Sequence, residues 1–174
     1  ASAALASTIE KQRLVPMVLS RDPEVISLLT APSAEGRRVL DEKLAAIVAE
    51  ASASVLYVIG ADGIAIAASN DNTPDSFVGS DYGFRTYFTQ AMRDGEAQQY
   101  ALGTVSRRPG LYLSRRVDGA KGPLGVVVVK VEFDKLEARW RDSGLTVIVT
   151  DDNPRTEDAR AIRSDVLKGA RGAE

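Results

Sequence analysis

The sequence predicts an α+β fold in which a long N-terminal helix and its flanking helices precede a five-stranded antiparallel sheet flanked by helices. Three observations predict it. Apolar residues recur at about 3.6-residue spacing through roughly the first fifty positions. After Ser52 the spacing drops to about two residues, the period of strands. Clusters of Gly, Asp, Asn and Pro then punctuate the chain at short intervals, so the strands are joined by tight links.

Leu5, Ile9, Val15, Pro16, Val18 and Leu19 approximate one helical stripe, and Pro16 is expected to bend this first helix or end its first part. Asp22-Pro23 sets a capping residue before a proline at the first helical position and starts a short helix through Ile26 and Leu29, which Ala31-Pro32 stops. Ser33 with Glu35 opens a third helix, with Val39, Leu40, Leu44, Ile47 and Val48 on its stripe and its end near Ser52.

Val55 to Ile59 and Ile64 to Ala68 read as strands joined across Gly60-Ala61-Asp62-Gly63, a hairpin. Ser69 to Ser80 is dense in Asn, Asp, Ser and Pro and reads as a long loop, a place where function concentrates. A helix over 83–94 follows, with Phe84, Tyr87, Phe88 and Met92 at core spacing and Gly95 as its stop. Gln98 to Ser106, Leu111 to Val117 and Leu124 to Phe133 are three further strands; a helix from Asp134 to Asp142 and a strand from Leu145 to Val149 complete the reading. From Asn153 onward the pattern is polar and helical, as in a trimmed or discontinuous second module.

Composition removes whole classes of function. The chain of 174 residues contains no Cys and no His, which excludes thiol nucleophiles, Ser-His and Cys-His mechanisms and zinc sites built from those ligands. With 24 acidic and 22 basic residues it carries no electrostatic footprint for nucleic acid or an anionic membrane. No apolar stretch, Leu124 to Val129 included, approaches the ~20 residues of a spanning helix. The opening ASAALAST lacks the basic start and apolar core of a signal peptide. No Gly-rich phosphate loop or EF-hand pattern is present, so no cofactor is expected, and Asp71, Asp75 and Asp81 read as turn caps rather than metal ligands.

Three features could carry chemistry. Leu124, Val126, Val128 and Lys130 are expected to share one strand face, which aligns a cation with apolar neighbours. Either the ammonium reaches water along its stem at a strand end, or it meets an anion in a pocket. Arg85 lies three residues beyond Tyr82, a spacing that puts both on one helical face; a guanidinium grips a carboxylate through two parallel bonds, and a phenol adds a third. The alternative is a solvated surface arginine. Tyr100, Leu102, Thr104 and Ser106 alternate along a strand and give an unusually hydroxyl-rich face, which equally fits a face turned to water.

The segments SFVGSDYGFRTYF, YALGTVS with the following PGLYLS, and LGVVVVKVEFDKLE resemble the periplasmic sensor regions of four-carbon dicarboxylate sensor histidine kinases, which are double Cache domains with PAS-like folds. The resemblance covers roughly residues 1 to 150. It implies a stalk with flanking helices over 1–52, a membrane-distal Cache (PAS-like) ligand-binding module over 53–142, and the incomplete start of a membrane-proximal module over 143–174. It implies pocket roles for Tyr82, Arg85, Thr104, Ser106 and Lys130, with a small dicarboxylate such as succinate, malate or fumarate as ligand. It also implies a homodimer through the N-terminal helix and a parent kinase anchored in the inner membrane by helices outside this chain. Two departures stand out: Thr86 occupies a position where the family has proline, and Pro154 follows LTVIVTDDN where a glycine and further strands are expected. Two other readings remain: a chemoreceptor ectodomain, and a ligand-free module that only dimerises. No nucleophile and base can be paired, so catalysis is not expected of this fragment.

Overall fold

The structure, a computed structural model, describes residues 2–51 and 53–132. The helix and strand expected over 134–142 and 145–149, and the second module over 143–174, lie outside the described residues. Helix α1 (Ser2–Leu19) runs through Pro16 rather than ending there. Pro16 and Leu19 are buried, but Val18, expected on the same stripe, is 63% exposed. Helix α2 (Pro23–Thr30) is capped as expected: the Asp22 carboxylate accepts the Glu24 N–H at 2.9 Å and Pro23 supplies the first helical φ. Ser33 Oγ accepts the Gly36 N–H at 3.0 Å and opens α3 (Ala34–Ala51). Lys43 on α3 donates to Asp22 at 2.7 Å and Glu24 at 2.8 Å, tying α3 to the start of α2.

The strands are β1 (Val55–Gly60), β2 (Ala65–Ala68), β3 (Glu96–Leu102), β4 (Pro109–Gly119) and β5 (Gly122–Glu132), with α4 (Thr86–Asp94) between β2 and β3. They form one sheet in the order β2-β1-β5-β4-β3, every described pairing antiparallel. β5 is therefore central, covered by strands on both sides.

Alternation along the strands makes two cores. Leu56, Val58, Leu113, Val127, Val129 and Val131 pack against Leu19, Val25, Leu28, Leu40 and Leu44 of α1 to α3. On the other face, Tyr57, Ile59, Tyr112, Val126 and Val128 pack against Phe77, Tyr82, Tyr87, Phe88 and Ala91 from the long loop and α4. Leu124 departs from the expected alternation. The β4–β5 register shifts between Val117 and Asp118, pairing Val117 with Gly125 and Asp118 with Pro123, and this bulge turns Leu124 onto the helical face instead of the face of Val126 and Val128.

Candidate ligand-binding site

The hairpin between β1 and β2 packs against the segment that carries Tyr82 and Arg85. Gly63 takes φ +87°, and a Cβ there would lie 2.7 Å from the Gly83 Cα, so two glycines let the incoming chain press against the hairpin. The Tyr82 N–H donates to the Gly63 carbonyl at 2.8 Å, and the Gly83 N–H to Asp81 Oδ1 at 2.8 Å. A turn then closes from the Arg85 N–H to the Tyr82 carbonyl at 3.0 Å.

Tyr82 and Arg85 are thus neighbours through a turn, not through a shared helical face. The helix expected from residue 83 begins only at Thr86; Arg85 is its N-cap, with extended backbone (φ −73°, ψ 136°), and its carbonyl accepts the Phe88 and Thr89 N–H groups at 3.0 Å. Thr86 stands at the first helical position, where proline is well suited, which gives the family's proline a physical meaning. Phe84, expected in the core, is 66% exposed and lies 5.1 Å from the Arg85 guanidinium.

Arg85 is 7% exposed, so it is not the solvated residue of the alternative reading. Its Nη2 donates to the Leu102 carbonyl at 2.8 Å, while its shielded Nε has no partner. Tyr82 is buried against the rings of Tyr57 and Phe77. Burial pushes its phenol above the ordinary range, while the Ser80 and Thr104 hydroxyls and the Arg85 charge pull the other way; its shielded oxygen closes no well-aligned hydrogen bond. Tyr82 and Arg85 thus each keep a shielded polar atom without an aligned partner.

Strand β3 ends at Leu102, so Thr104 and Ser106 do not continue the alternation expected from Tyr100. They sit in a turn over 103–107, closed by the Arg107 N–H on the Gly103 carbonyl at 3.0 Å. Thr104 is exposed on the side of Tyr82; Ser106 is half-buried and accepts the Lys130 ammonium at 2.6 Å.

Lys130 is fully buried in central β5, between Val55 of β1 and Tyr112 of β4, so it does not reach water at a strand end. Its Nζ donates to Ser106 Oγ and, at 2.8 Å, to Glu132 Oε1, and lies 5.9 Å from the Tyr112 ring centre. Two glycines make room for it. A Cβ on Gly103 would sit 3.2 Å from the Nζ, and one on Gly110 2.9 Å from the Cε. Glu132, Gly103 and Gly110 were not singled out from the sequence. The two-residue spacing of Lys130 and Glu132 on one strand face was the available signal for the first; a cradle formed by residues distant in sequence left none for the glycines.

The two cations meet the same segment: Arg85 holds the carbonyl of Leu102, and Lys130 holds the hydroxyl of Ser106. Aromatic contacts stiffen the floor. Tyr57 OH donates to Tyr87 OH at 2.7 Å, Tyr87 stacks on Tyr112 at 4.9 Å and 7°, and Ser114 Oγ donates to the Tyr87 carbonyl at 2.8 Å. Burial drives the Tyr57 and Tyr87 phenols well above their ordinary range, so both stay neutral. A separate cleft of about 450 Å³ opens between α1 and the β3–β4 edge, lined by Arg13, Leu14, Gln98 and Arg115 among others and by none of the five candidate residues. Among the described residues, no group of acidic side chains could hold a metal ion, and no helix is long and apolar enough to cross a membrane.

In architecture the chain resembles a histidine-kinase sensor domain. It superposes on the sensor domain of the V. cholerae histidine kinase DctB with a TM-score of 0.76 and 30% identity, over 80% of this chain and 55% of that one. In sequence it is a homologue of the C4-dicarboxylate transport sensor protein DctB: 50% identical to that of Rhizobium meliloti over 147 residues, and 32% identical to that of Pseudomonas aeruginosa over 148 residues. Each match covers 84% of this chain and 24% of the relative, so the chain spans about a quarter of the length of these proteins. No family model matches it. The fold is the α+β arrangement expected from the sequence, and the kinship is with periplasmic sensor domains of the kind the resemblance implies.

Proposed function

We propose that this chain is the extracytoplasmic sensor domain of a two-component histidine kinase and binds a small four-carbon dicarboxylate through Tyr82, Arg85, Thr104, Ser106 and Lys130. The observation that carries the reading is the pair of buried cations, Arg85 and Lys130, on one face of the sheet and on either side of segment 102–106. Burying two cations is costly, and a dianion with a carboxylate for each offsets that cost. Arg85 would grip one carboxylate through its fork, helped by the Tyr82 phenol; Lys130 would meet the other, with the Ser106 and Thr104 hydroxyls alongside. The relatives, which are C4-dicarboxylate transport sensor proteins, support this choice of ligand class.

In the whole protein, we propose, α1 pairs with its copy in a homodimer and residues 143–174 begin a membrane-proximal module that passes the ligand's effect toward the kinase. Calorimetric titration of the purified chain tests the ligand reading. Heat of binding and a rise in Tm with succinate or malate, and none with alanine or serine, are expected; at ~100-fold saturation the ligand would add about 2.7 kcal/mol. A response to amino acids and not to any dicarboxylate would overturn it in favour of a receptor for amino acids.

A further inference from the structure

Arg85 and Lys130 bring two positive charges, but Glu132 already holds the Lys130 ammonium at 2.8 Å and cancels one of them. A dianion entering that cluster would set a second carboxylate against Glu132 in a shielded place, where like charges are costly. Glu132 has somewhere else to go. Its other oxygen, Oε2, lies 3.8 Å from Nη1 of Arg108, whose side chain is 63% exposed, while its own side chain is only 11% exposed. The Glu132 backbone is pinned, its N–H donating to Ser54 Oγ at 3.0 Å, so the carboxylate can change partners by side-chain rotation without moving β5. Among the described residues nothing else in the cluster is an anion: the remaining groups around the Lys130 side chain are the Ser106 hydroxyl, the Tyr112 ring and the glycines at 103 and 110.

We propose that Glu132 is the internal counter-ion and selectivity gate of this site: it occupies the Lys130 ammonium until a ligand carboxylate takes its place, and it then turns outward to Arg108. The inference rests on the dicarboxylate reading of the same site and adds a residue that sets its specificity. A monocarboxylate needs only Arg85 and leaves Glu132 where it is. A dicarboxylate must displace it, so Glu132 lowers dicarboxylate affinity selectively and reserves the Lys130 ammonium for a carboxylate able to replace it.

The test is calorimetric titration of succinate and butyrate into the wild-type chain, Glu132→Gln, Arg108→Gln and the double variant. Glu132→Gln keeps the shape and removes the charge. It is expected to tighten succinate binding about tenfold and to leave butyrate nearly unchanged. Equal tightening of both ligands would mean a general loss of negative potential and would overturn the gate, as would succinate binding that is unchanged or weaker. Arg108→Gln, an exposed change that leaves the fold intact even if Glu132→Gln does not fold, is expected to weaken succinate several-fold and not butyrate. In the Glu132→Gln background that weakening is expected to vanish; an Arg108 effect of the same size in both backgrounds would show simple attraction of the anion and overturn the proposal. Wild-type binding with no effect of either variant removes the gate and leaves the dicarboxylate reading standing, whereas no binding by any form removes both.

Discussion

The two faces of β5 are built from one run of residues and do opposite things. Val127, Val129 and Val131 face α1 to α3 and meet only apolar partners; Val126 and Val128 start the other face the same way, but Lys130 and Glu132 end it in a buried ion pair. The helical face is filled mostly by leucines and valines, with a few buried polar groups among them such as Asp41, which accepts the Ala68 N–H, and Gln12, which donates to the Ala51 carbonyl. The α4 face uses two glycines, the Ser106 hydroxyl and the Tyr112 ring to hold the Lys130 ammonium away from water. Interiors filled to close packing stabilise; interiors arranged around unpartnered or exchangeable polar atoms cost stability and offer a site. From Val126 to Glu132 the central strand alternates between the two faces, and only its end, Lys130 and Glu132, departs from apolar packing.

That contrast is open to attack by substitution. Leu40→Ala, at a fully buried position of α3, should lower stability by about 2–5 kcal/mol in chemical denaturation, through lost burial and the cavity left behind. Succinate affinity should not change, and a loss of binding beyond what unfolding explains would mean that the faces are not separable. Arg85→Lys should do the reverse. It keeps the charge but not the planar fork, so binding should fall by about tenfold or more for ~1.5 kcal/mol or more lost, with little change in Tm. Retained affinity within a factor of about two would remove Arg85 as a carboxylate clamp.

Smaller effects sharpen the picture within the helical layer. The Asp41 carboxylate on α3 accepts the Ala68 N–H at 2.7 Å beside β2, and burial holds its pKa above the ordinary 3.8, with Asp71 adding to the rise and the Ala68 N–H and Arg37 opposing it. The folded state therefore holds this proton more tightly than the unfolded chain, so the contribution to stability is largest below 3.8 and declines as pH rises through the folded value. Asp22 behaves oppositely: burial pushes its carboxyl up, but Lys43 and the α2 N–H groups outweigh it and leave the pKa low, so its contribution is lost as pH falls. Thermal melts of Asp41→Asn against wild type should show the variant gaining, relative to wild type, as pH rises from about 3.8 toward neutrality. A difference independent of pH would show that Asp41 is not shifted. Tyr57→Phe, which removes the hydroxyl that donates to Tyr87, should cost about 1 kcal/mol and leave the ring packing intact.

How far the sequence reaches follows the same division. The helical face was legible because it depends on periodicity and caps: Asp22-Pro23, Ser33 and the leucines of α3 fall where the pattern put them. The hairpins were legible from their turn residues. The site was legible in its chemistry but less so in its geometry. Lys130 betrayed itself by breaking an apolar run. Tyr82 and Arg85 were paired for the wrong reason, since the Gly63–Gly83 contact delays the helix to Thr86 and a turn brings them together. Thr104 and Ser106 were set on a strand that stops at Leu102, because Gly103 bends the chain over Lys130 and only the tertiary contact demands it. Leu124 was misplaced by a single bulge, which reverses every side chain beyond it and leaves no mark in the hydrophobic pattern.

In the proposed site Lys130 is held in the interior to meet a second carboxylate, and the selectivity between succinate and butyrate reports on that role. Stability cannot decide, since Lys130→Met leaves Glu132 without its partner and removes a buried charge at once. Titration of both ligands into wild type and Lys130→Met can. The account predicts that the preference for succinate over butyrate shrinks by about tenfold or more in the variant, the equivalent of ~1.4 kcal/mol or more. An unchanged ratio would contradict it, and would leave Lys130 as one half of a structural ion pair with Glu132.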